Sequence, residues 1–348
     1  MKNVIYLNRN ESQYDLSPSC KEVLAQFTPT YFTQYSSDET ITYTHFIDEL
    51  SHFLGVSPSC IALGNGSEEL LKACAYHFLE KNDVVLVPER SWWYYHEIIT
   101  EVQARPVYFE IVEEKNSFHF DYELFSQAYH ENSPRMVLLA SPNNPTGHSI
   151  ALELLEKIFN LCKNSLVVVD EAYWGFTELN LAQHHYFIKK YPNVIFVRTF
   201  SKFFGLAGAR LGYVLAGDNF FSLKKYLQRY LGYSPLTLAL GLATLKDYAY
   251  FSKLNRDYQE TKEFYYQVFT PDSGVASYLS DANFILLKPE LELLPLIQEK
   301  MTAAGILLSY LQTPKLQNYI RFTLGRPEQN NFVLEILTSC IDKKVSQL

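Results

Sequence analysis

The chain has 348 residues, and 30 Lys and Arg against 38 Asp and Glu give it a formal charge of −8. This acidic balance argues against a nucleic-acid-binding protein, which normally carries a basic surface. Aromatic residues make up 15% of the chain, and its length favours two domains over one compact core.

The cysteine and histidine spacings do not indicate a metal site or a disulfide framework. The cysteines are too far apart for a CxxC pattern, since they occupy positions 20, 60, 74, 162 and 340. Such a set is typical of reduced thiols in a cytoplasmic protein. The adjacent pair His184-His185 has no further ligands at suitable spacing, so no bound metal is expected.

No stretch of the sequence predicts membrane insertion. The apolar run at residues 4–7 is too short for a signal peptide, and polar residues follow it at once. The longest uncharged run, between Arg229 and Lys246, is shorter than the roughly 20 apolar residues of a spanning helix. We therefore expect a soluble, cytoplasmic protein that does not contact a membrane.

Short apolar runs alternate with amphipathic stretches as far as residue 216. The amphipathic stretches predict helices over 39–54, 67–79, 92–102 and 150–161. The apolar runs predict strands over 84–87, 107–109, 136–140, 166–169, 194–197 and 213–216. Strands that alternate with helices at this spacing indicate a largely parallel α/β sheet, which binds ligands at the carboxyl ends of its strands.

The C-terminal third has a different pattern. It predicts one long helix over 236–269, strands over 276–278, 284–287 and 319–324, and helices over 291–303 and at the end of the chain. This pattern is typical of a smaller α+β domain.

A lysine with hydroxyl neighbours follows the predicted strand over 194–197. The segment reads Thr199-Phe200-Ser201-Lys202, and Arg210 stands eight residues later. Lys202 can form a Schiff base with an aldehyde, while the hydroxyls and the arginine can bind a phosphate. Taken alone, the segment is equally compatible with an exposed loop.

Two other strands are followed by groups that suit the same phosphorylated aldehyde. Asp170 can pair with a protonated ring nitrogen, and Tyr173 can bond to a ring hydroxyl. The turn Ser141-Pro142-Asn143-Asn144-Pro145-Thr146-Gly147 places Asn144 where it can reach the same hydroxyl. A helix N-cap is the alternative role for Asp170, and a plain turn is the alternative for the second segment.

Small residues precede the predicted helix over 67–79, in the order Gly64-Asn65-Gly66-Ser67. Backbone N–H groups at a helix N-terminus bind phosphate. Glu69 stands where the third glycine of GxGxxG belongs, which argues against a nicotinamide dinucleotide enzyme.

These four segments, in this order, resemble the aspartate-aminotransferase superfamily of pyridoxal-phosphate enzymes. The chain is most similar to the histidinol-phosphate aminotransferase group and its relative, threonine-phosphate decarboxylase. Segments near both ends of the chain, at 7–11 and 319–325, share the resemblance. It implies fold type I, in which a mostly parallel seven-stranded sheet forms a large domain, here 36–245. Residues 1–35 and 246–348 would form the smaller α+β domain.

The resemblance also implies roles for individual residues. Lys202 would carry pyridoxal 5'-phosphate as a Schiff base and move protons, Asp170 would hold the pyridinium, and Tyr173 and Asn144 would contact the ring hydroxyl. Trp92 would stack on the ring. The phosphate would be bound by Gly66, Ser67, Glu68, Thr199, Ser201 and Arg210.

Other positions would complete the substrate site and the assembly. Arg321 would bind the substrate α-carboxylate, with Tyr14 and Asn10 nearby. Tyr35 would reach the cofactor phosphate of a neighbouring subunit, so a homodimer with shared active sites is expected.

One position departs from the histidinol-phosphate group. Ser309 stands where that group usually has an arginine for the substrate phosphate. A dianion that lacks its cation binds poorly, so we expect a non-phosphorylated aromatic or apolar amino acid as the donor and a 2-oxo acid as the acceptor. A decarboxylase of the threonine-phosphate type is the alternative, because the same cofactor residues support both reactions. A non-catalytic sensor is a further alternative, but such regulators carry a DNA-binding domain before this segment.

Overall fold

The computed structural model describes residues 4–29, 33, 35 and 43–345, and strands and helices alternate through the middle of the chain. The strands are β1 Ile5–Tyr6, β2 Ile61–Gly64, β3 Val84–Pro88, β4 Arg105–Phe109, β5 Ile111–Glu113, β6 Phe118–Phe120, β7 Met136–Ala140, β8 Leu166–Asp170, β9 Val194–Thr199, β10 Gly212–Ala216, β11 Val275–Tyr278, β12 Phe284–Pro289, β13 Ile306–Leu307, β14 Ser309–Tyr310 and β15 Ile320–Thr323. The α-helices are α1 Pro18–Gln26, α2 Tyr43–Leu54, α3 Gly66–Phe78, α4 Tyr94–Glu101, α5 Tyr122–Asn132, α6 Leu152–Leu161, α7 Leu181–Lys190, α8 Phe221–Leu227, α9 Pro235–Lys246, α10 Tyr248–Val268, α11 Leu293–Ala304 and α12 Pro327–Val345.

A seven-stranded sheet forms the centre of the fold, with the strand order β2-β10-β9-β8-β7-β3-β4. Strand β10 runs antiparallel to both of its neighbours, and the other adjacent pairs are parallel. Strands β7 and β9 are buried along their whole length because helices cover both faces of the sheet. The mostly parallel seven-stranded sheet predicted from the sequence is confirmed.

A second sheet is antiparallel and has the order β11-β12-β15-β14. The N-terminal segment reaches this part of the molecule, because β1 pairs in parallel with β13. The N–H of Thr323 then donates to the carbonyl of Leu7 at 2.8 Å. Residues from the two ends of the chain therefore lie side by side.

The long helix predicted over 236–269 is two helices, and this prediction was wrong at Asp247. There α9 ends and α10 begins, with Asp247 as the residue between them. Its carboxylate accepts hydrogen bonds from the N–H and the hydroxyl of Ser19, at 2.8 and 2.7 Å. Aspartate commonly interrupts helices because its side chain competes for local hydrogen bonds.

Other predicted bounds agree closely with the structure, while some elements were missed. The helix predicted over 39–54 is described only from Tyr43, since 36–42 lie outside the described residues. Ten of the described strands and α-helices had no counterpart in the prediction, namely β1, β2, β5, β6, β13, β14, α1, α5, α7 and α8. None of the described helices is long and apolar enough to cross a membrane.

Register brings the carboxyl ends of the central strands to one edge. Ala140 at the end of β7 pairs with Asp170 at the end of β8, and Asp170 pairs with Val197 in β9. The segments that follow β7, β8 and β9 therefore start close together. This edge is where open parallel sheets bind their ligands.

Candidate active site

A cleft of about 360 Å³ opens at the carboxyl ends of β7, β8 and β9. Residues from the N-terminal segment, the central sheet and the second sheet all line it. They include eight of the residues predicted from the sequence, Asn10, Ser67, Trp92, Asn144, Asp170, Tyr173, Lys202 and Arg321.

Asp170 ends β8 with its carboxylate buried beneath the cleft. The Tyr95 hydroxyl donates to Oδ2 at 2.6 Å, and the N–H of Ala172 donates to Oδ1 at 3.0 Å. Burial raises the pKa of Asp170 to about 6, although both hydrogen bonds favour the charged form. The group is a carboxylate that a buried cationic ligand would stabilise.

Lys202 lies in the loop after β9, and its Nζ donates to the carbonyl of Arg9 at 3.0 Å. Burial, and next the positive charge of Arg321, lower the pKa of Lys202 to about 8. A lysine with this pKa has a substantial neutral fraction near pH 8. It can therefore act as a nucleophile or accept a proton.

Arg321 lies in β15, on the side of the cleft that the second sheet forms. Its guanidinium donates to Asn144 Oδ1 and, at 2.8 Å, to the carbonyl of Asn8. Its Nε is buried without a hydrogen-bond partner among the described residues. A planar guanidinium with a donor still available suits a carboxylate.

Tyr173 is buried and faces the same cleft. Its hydroxyl accepts a hydrogen bond from Asn10 Nδ2 at 2.7 Å, and Lys202 Nζ lies 5.9 Å from its ring centroid. Asn10 adopts a positive φ of 56° and donates its own N–H to Thr323 Oγ1 at 2.9 Å. The N-terminal segment is thereby held against the central sheet.

The residues predicted to bind phosphate gather beside the cleft, around the start of α3. Gly66 has φ +82°, and a Cβ there would come within 2.8 Å of the Arg210 guanidinium. Arg210 donates to the carbonyl of Asn65 at 3.1 Å. The Thr199 hydroxyl donates to Ser201 Oγ at 2.9 Å. Thr199 pairs across the sheet with Gly212, where a Cβ would come within 2.7 Å of the Gly66 backbone.

Three predicted residues, Glu68, Tyr14 and Tyr35, do not line the cleft. Glu68 stands 4.0 Å from Arg210 and faces a separate pocket. Tyr14 does not line the cleft, and its ring packs edge-on against Tyr258 at 5.7 Å. Tyr35 exposes 70% of its surface.

The contacts of Tyr95 and Asn8 were not predicted from the sequence. Tyr95 contacts Asp170 from the first turn of α4, and Asn8 contacts Arg321 through its backbone carbonyl. The sequence did contain a signal for Tyr95. Trp92 was already a candidate, and residues three apart in the helix predicted over 92–102 share a face, so Tyr95 could have been placed beside the same site. No side-chain pattern could reveal a contact made by the backbone of Asn8.

A buried ionic cluster lies behind Asp170. Arg198 Nε donates to Glu171 Oε2 at 2.6 Å, and His184 Nε2 lies 2.7 Å from Glu171 Oε1. Burial alone would raise the pKa of Glu171, but the charges of Arg198 and His184 hold it below its usual range. The cluster joins α7, β9 and the segment after β8.

Comparison with known proteins gives the family. The aminotransferase class I and II family matches residues 2–337. A histidinol-phosphate aminotransferase of Ruminiclostridium cellulolyticum is 30% identical over 349 residues, which cover 97% of this chain and 93% of that protein. One from Thermococcus gammatolerans is 32% identical over 333 residues, covering 95% and 90%. The chain belongs to the class I and II aminotransferases.

Solved structures agree with this family at the level of the fold. The histidinol-phosphate aminotransferase of Sinorhizobium meliloti in complex with pyridoxal-5'-phosphate superposes with a TM-score of 0.85 and 24% identity, covering 98% of this chain and 91% of that one. An L-threonine-O-3-phosphate decarboxylase of Porphyromonas gingivalis gives a TM-score of 0.78 and 18% identity, covering 97% and 100%.

The aminotransferase therefore uses pyridoxal phosphate to exchange an amino group between an amino acid and a 2-oxo acid. The donor set of the cleft fits this cofactor, since it combines a buried carboxylate, Asp170, with a lysine of lowered pKa, Lys202. The space beside Gly66, which a Cβ would fill, faces Arg210 and suits a phosphate. Within the described part of the chain, no cluster of three or more His, Cys, Asp or Glu side chains could hold a metal ion.

Proposed function

We propose that this aminotransferase takes its amino group from a non-phosphorylated amino acid with an aromatic or apolar side chain. The observation that carries the proposal is Ser309, which lines the cleft and pairs with Arg321 across the second sheet. A hydroxyl offers no positive charge to a substrate phosphate.

The wall that residues 309–321 contribute to the cleft contains one cation, Arg321, which is the candidate for the substrate α-carboxylate. Ser309, Leu311 and Thr313 of this wall are neutral, and Leu311 and Trp93 provide apolar surface for a substrate side chain. Two other basic residues that follow Ser309 in the sequence, Lys315 and Arg326, have partners elsewhere. Lys315 pairs with Glu89 at 2.8 Å, and Arg326 donates to the carbonyl of Gln13 at 2.7 Å.

Arg9 is the remaining cation of the cleft besides Lys202 and Arg321, among the residues that the structure describes. It is exposed, so water screens its charge far more than it would screen a buried arginine. We therefore assign it no role in binding a phosphorylated substrate.

The residues of the cleft divide the chemistry among them in this proposal. When bound, pyridoxal phosphate supplies an aldehyde that joins to amines and a ring that withdraws electrons from the substrate Cα. Lys202 would hold the aldehyde carbon, Asp170 the protonated ring nitrogen, and Tyr173 and Asn144 the ring hydroxyl. Trp92 would contact the ring face. The phosphate would be held by the backbone of Gly66, Ser67 and Glu68 and by Thr199, Ser201 and Arg210.

Substrate binding and proton movement would then fall to three residues. Arg321 would bind the α-carboxylate with two parallel hydrogen bonds, as guanidinium groups commonly do. Lys202 would move the proton at the substrate Cα. Its lowered pKa supports this role because the amine must be neutral to accept that proton. Asn10 would keep the Tyr173 hydroxyl oriented, and Tyr14 would contribute from the N-terminal segment.

The test is a panel of amino donors, measured as conversion of the bound cofactor to its amine form by absorbance. We expect kcat/KM for Phe, Tyr, Trp or Leu to exceed that for histidinol phosphate by at least about tenfold, the size of one charge-assisted hydrogen bond. Faster turnover of histidinol phosphate would contradict the proposal. Release of CO2 without any keto acid product would favour a decarboxylase instead.

A matched substitution makes the panel sharper. Ser309→Arg should raise kcat/KM for histidinol phosphate and lower it for the apolar donors, because it replaces a neutral hydroxyl with a second cation beside Arg321. Thr313→Ser, a change in the same wall that adds no charge, serves as the control. The ratio of kcat/KM for histidinol phosphate to kcat/KM for the apolar donors should stay nearly constant in this variant.

We also propose the organisation in which these sites work. The large domain would comprise 36–245, and 1–35 together with 246–348 would form the small one, in a cytoplasmic homodimer. The exposure of Tyr35 supports the dimer, because a tyrosine on the surface is available to a neighbouring subunit's phosphate site.

A further inference from the structure

We infer that Tyr95 is a positioning residue for the cofactor, which keeps Asp170 charged and fixes its orientation beneath the cofactor ring. The inference rests on the proposed role of Asp170 and adds a residue to it. The contact is short, since the Tyr95 hydroxyl and Asp170 Oδ2 are 2.6 Å apart. Only 2% of Tyr95 and 5% of Asp170 are exposed, so water does not compete for the bond.

The two oxygens of Asp170 have separate donors. The Ala172 N–H donates to Oδ1, and the Tyr95 O–H donates to Oδ2. Ala172 follows Asp170 in the chain, whereas Tyr95 belongs to a different element, α4. Two fixed donors hold the plane of the carboxylate in one orientation. A carboxylate that must meet a ring nitrogen gains most from such preorganisation.

The start of α4 links this contact to the cleft. The N–H of Tyr95 donates to the carbonyl of Trp92 at 3.1 Å, and the two rings meet edge-on with centroids 5.6 Å apart. Trp92 and Tyr95 both line the cleft, and the Tyr95 hydroxyl is bonded to Asp170 there. The turn that leads into α4 and the first residues of that helix thus supply both the proposed ring contact and the support for the carboxylate.

Charge explains why a hydroxyl is needed at this place. Burial opposes the ionised form of Asp170, and Glu171 beside it adds a second negative charge. Lys202 is the nearby cation that opposes these effects, and the hydroxyl of Tyr173 also faces the region. Without the Tyr95 donor, the pKa of Asp170 would rise further, and a neutral carboxyl group would hold a pyridinium poorly.

The test compares Tyr95→Phe with the wild type by equilibrium dialysis of the holoenzyme against pyridoxal phosphate. The variant keeps the ring and loses only the hydroxyl. We expect its cofactor affinity at pH 7 to fall about tenfold, in line with one hydrogen bond to a charged group. The deficit should shrink as the pH rises, because Asp170 ionises at high pH with or without Tyr95. An unchanged affinity, or a deficit that does not vary with pH, would overturn the inference.

Tyr265→Phe is the matched control. Tyr265 is as deeply buried, and its hydroxyl donates to the carbonyl of Asn330 at 2.7 Å, with no contact to Asp170. Its loss should lower thermal stability while cofactor affinity stays at the wild-type value. A similar loss of affinity in this control would mean that general destabilisation accounts for the Tyr95 result.

A double-mutant cycle separates this inference from the proposed function. In the Asp170→Asn background, Tyr95→Phe should no longer alter cofactor affinity, because the charge that the hydroxyl supports is gone. If Asp170→Asn itself leaves the affinity unchanged, the proposed role of Asp170 fails. If Asp170→Asn weakens binding but Tyr95→Phe does not, only the role of Tyr95 fails.

Discussion

The backbone carbonyls of Asn8 and Arg9 accept hydrogen bonds from Arg321 and from Lys202 Nζ. Two side chains proposed for substrate and cofactor are thus oriented by consecutive peptide groups of the N-terminal segment. Because backbone carbonyls are common to all residue types, the sequence could predict Lys202 and Arg321 but not these partners. The same holds for Tyr95, whose contact depends on how α4 packs beside β8.

The lowered pKa of Lys202 leads to a prediction about cofactor uptake. The rate at which the apoenzyme binds pyridoxal phosphate should rise with pH and level off above about 8, because only the neutral amine attacks the aldehyde. In Arg321→Gln the pH at which this rate is half-maximal, its midpoint, should be higher, because Arg321 disfavours the protonated amine of Lys202. Stopped-flow absorbance measures the midpoint in the wild type and in the variant. A pH range from about 6 to about 10 covers the lowered lysine pKa and nearly reaches the ordinary one.

Arg326→Gln provides the control for that shift, because Arg326 is exposed and does not line the cleft. Its midpoint should equal that of the wild type. Borohydride reduction of the holoenzyme should attach the cofactor to Lys202, and attachment to a different lysine would contradict the assignment.

Among the strands and helices, those at the centre of the large sheet were the most predictable. Both faces of β7, β8 and β9 are covered, so each strand contains a run of at least four consecutive apolar residues that the sequence displays directly. Asp170 is the last residue of β8, and the segments that carry Asn144 and Lys202 follow β7 and β9. Strands β1 and β13 have two residues each, which is too short for any periodic signal.

The start of α3 carries a prediction of its own. Gly66→Ala places a Cβ within 2.8 Å of the Arg210 guanidinium, at a backbone φ that favours glycine. We expect at least about tenfold weaker binding of pyridoxal phosphate, because displacement of Arg210 would remove the charged hydrogen bond that we propose it makes to the phosphate. Binding of pyridoxal, which has no phosphate, should change less. Fluorescence titration of the apoenzyme with each compound measures the difference.

Gly208→Ala is the matched control in the neighbouring turn. A Cβ at Gly208 has no neighbour within 4 Å, so affinity for both compounds should stay near the wild-type value. Equal losses for pyridoxal and pyridoxal phosphate in Gly66→Ala would show that the start of α3 does not contact the phosphate.

At the scale of the whole molecule, the acidic balance coexists with a cleft that contains Arg9, Lys202 and Arg321. Net charge therefore says little about the site, since these cations act locally on anionic groups. The aromatic surplus has a mixed explanation. Many of these rings are buried in the core, as Phe159, Phe187 and Phe196 are, whereas Trp92 and Trp93 line the cleft.

The proposed homodimer predicts a particle of twice the 40.3 kDa chain mass. Light scattering coupled to size exclusion should show this mass at micromolar concentration. If Tyr35 completes the neighbouring site, Tyr35→Phe should weaken cofactor binding and leave the mass unchanged. A particle of single-chain mass that retains full activity would refute the shared site.

The pairing of the two chain ends has a consequence for biosynthesis. Asn10 reaches Thr323, and Asn8 reaches Arg321, across 313 positions of sequence. A ribosome-bound chain that already contains Lys202 and Asp170 still lacks the strand that anchors the N-terminal segment. Residues 8–10 can take their places only after β15 has been synthesised, so the finished cleft forms in the last steps of translation or after release. Nascent chains that end before residue 320 would be unable to form it, whatever the supply of cofactor.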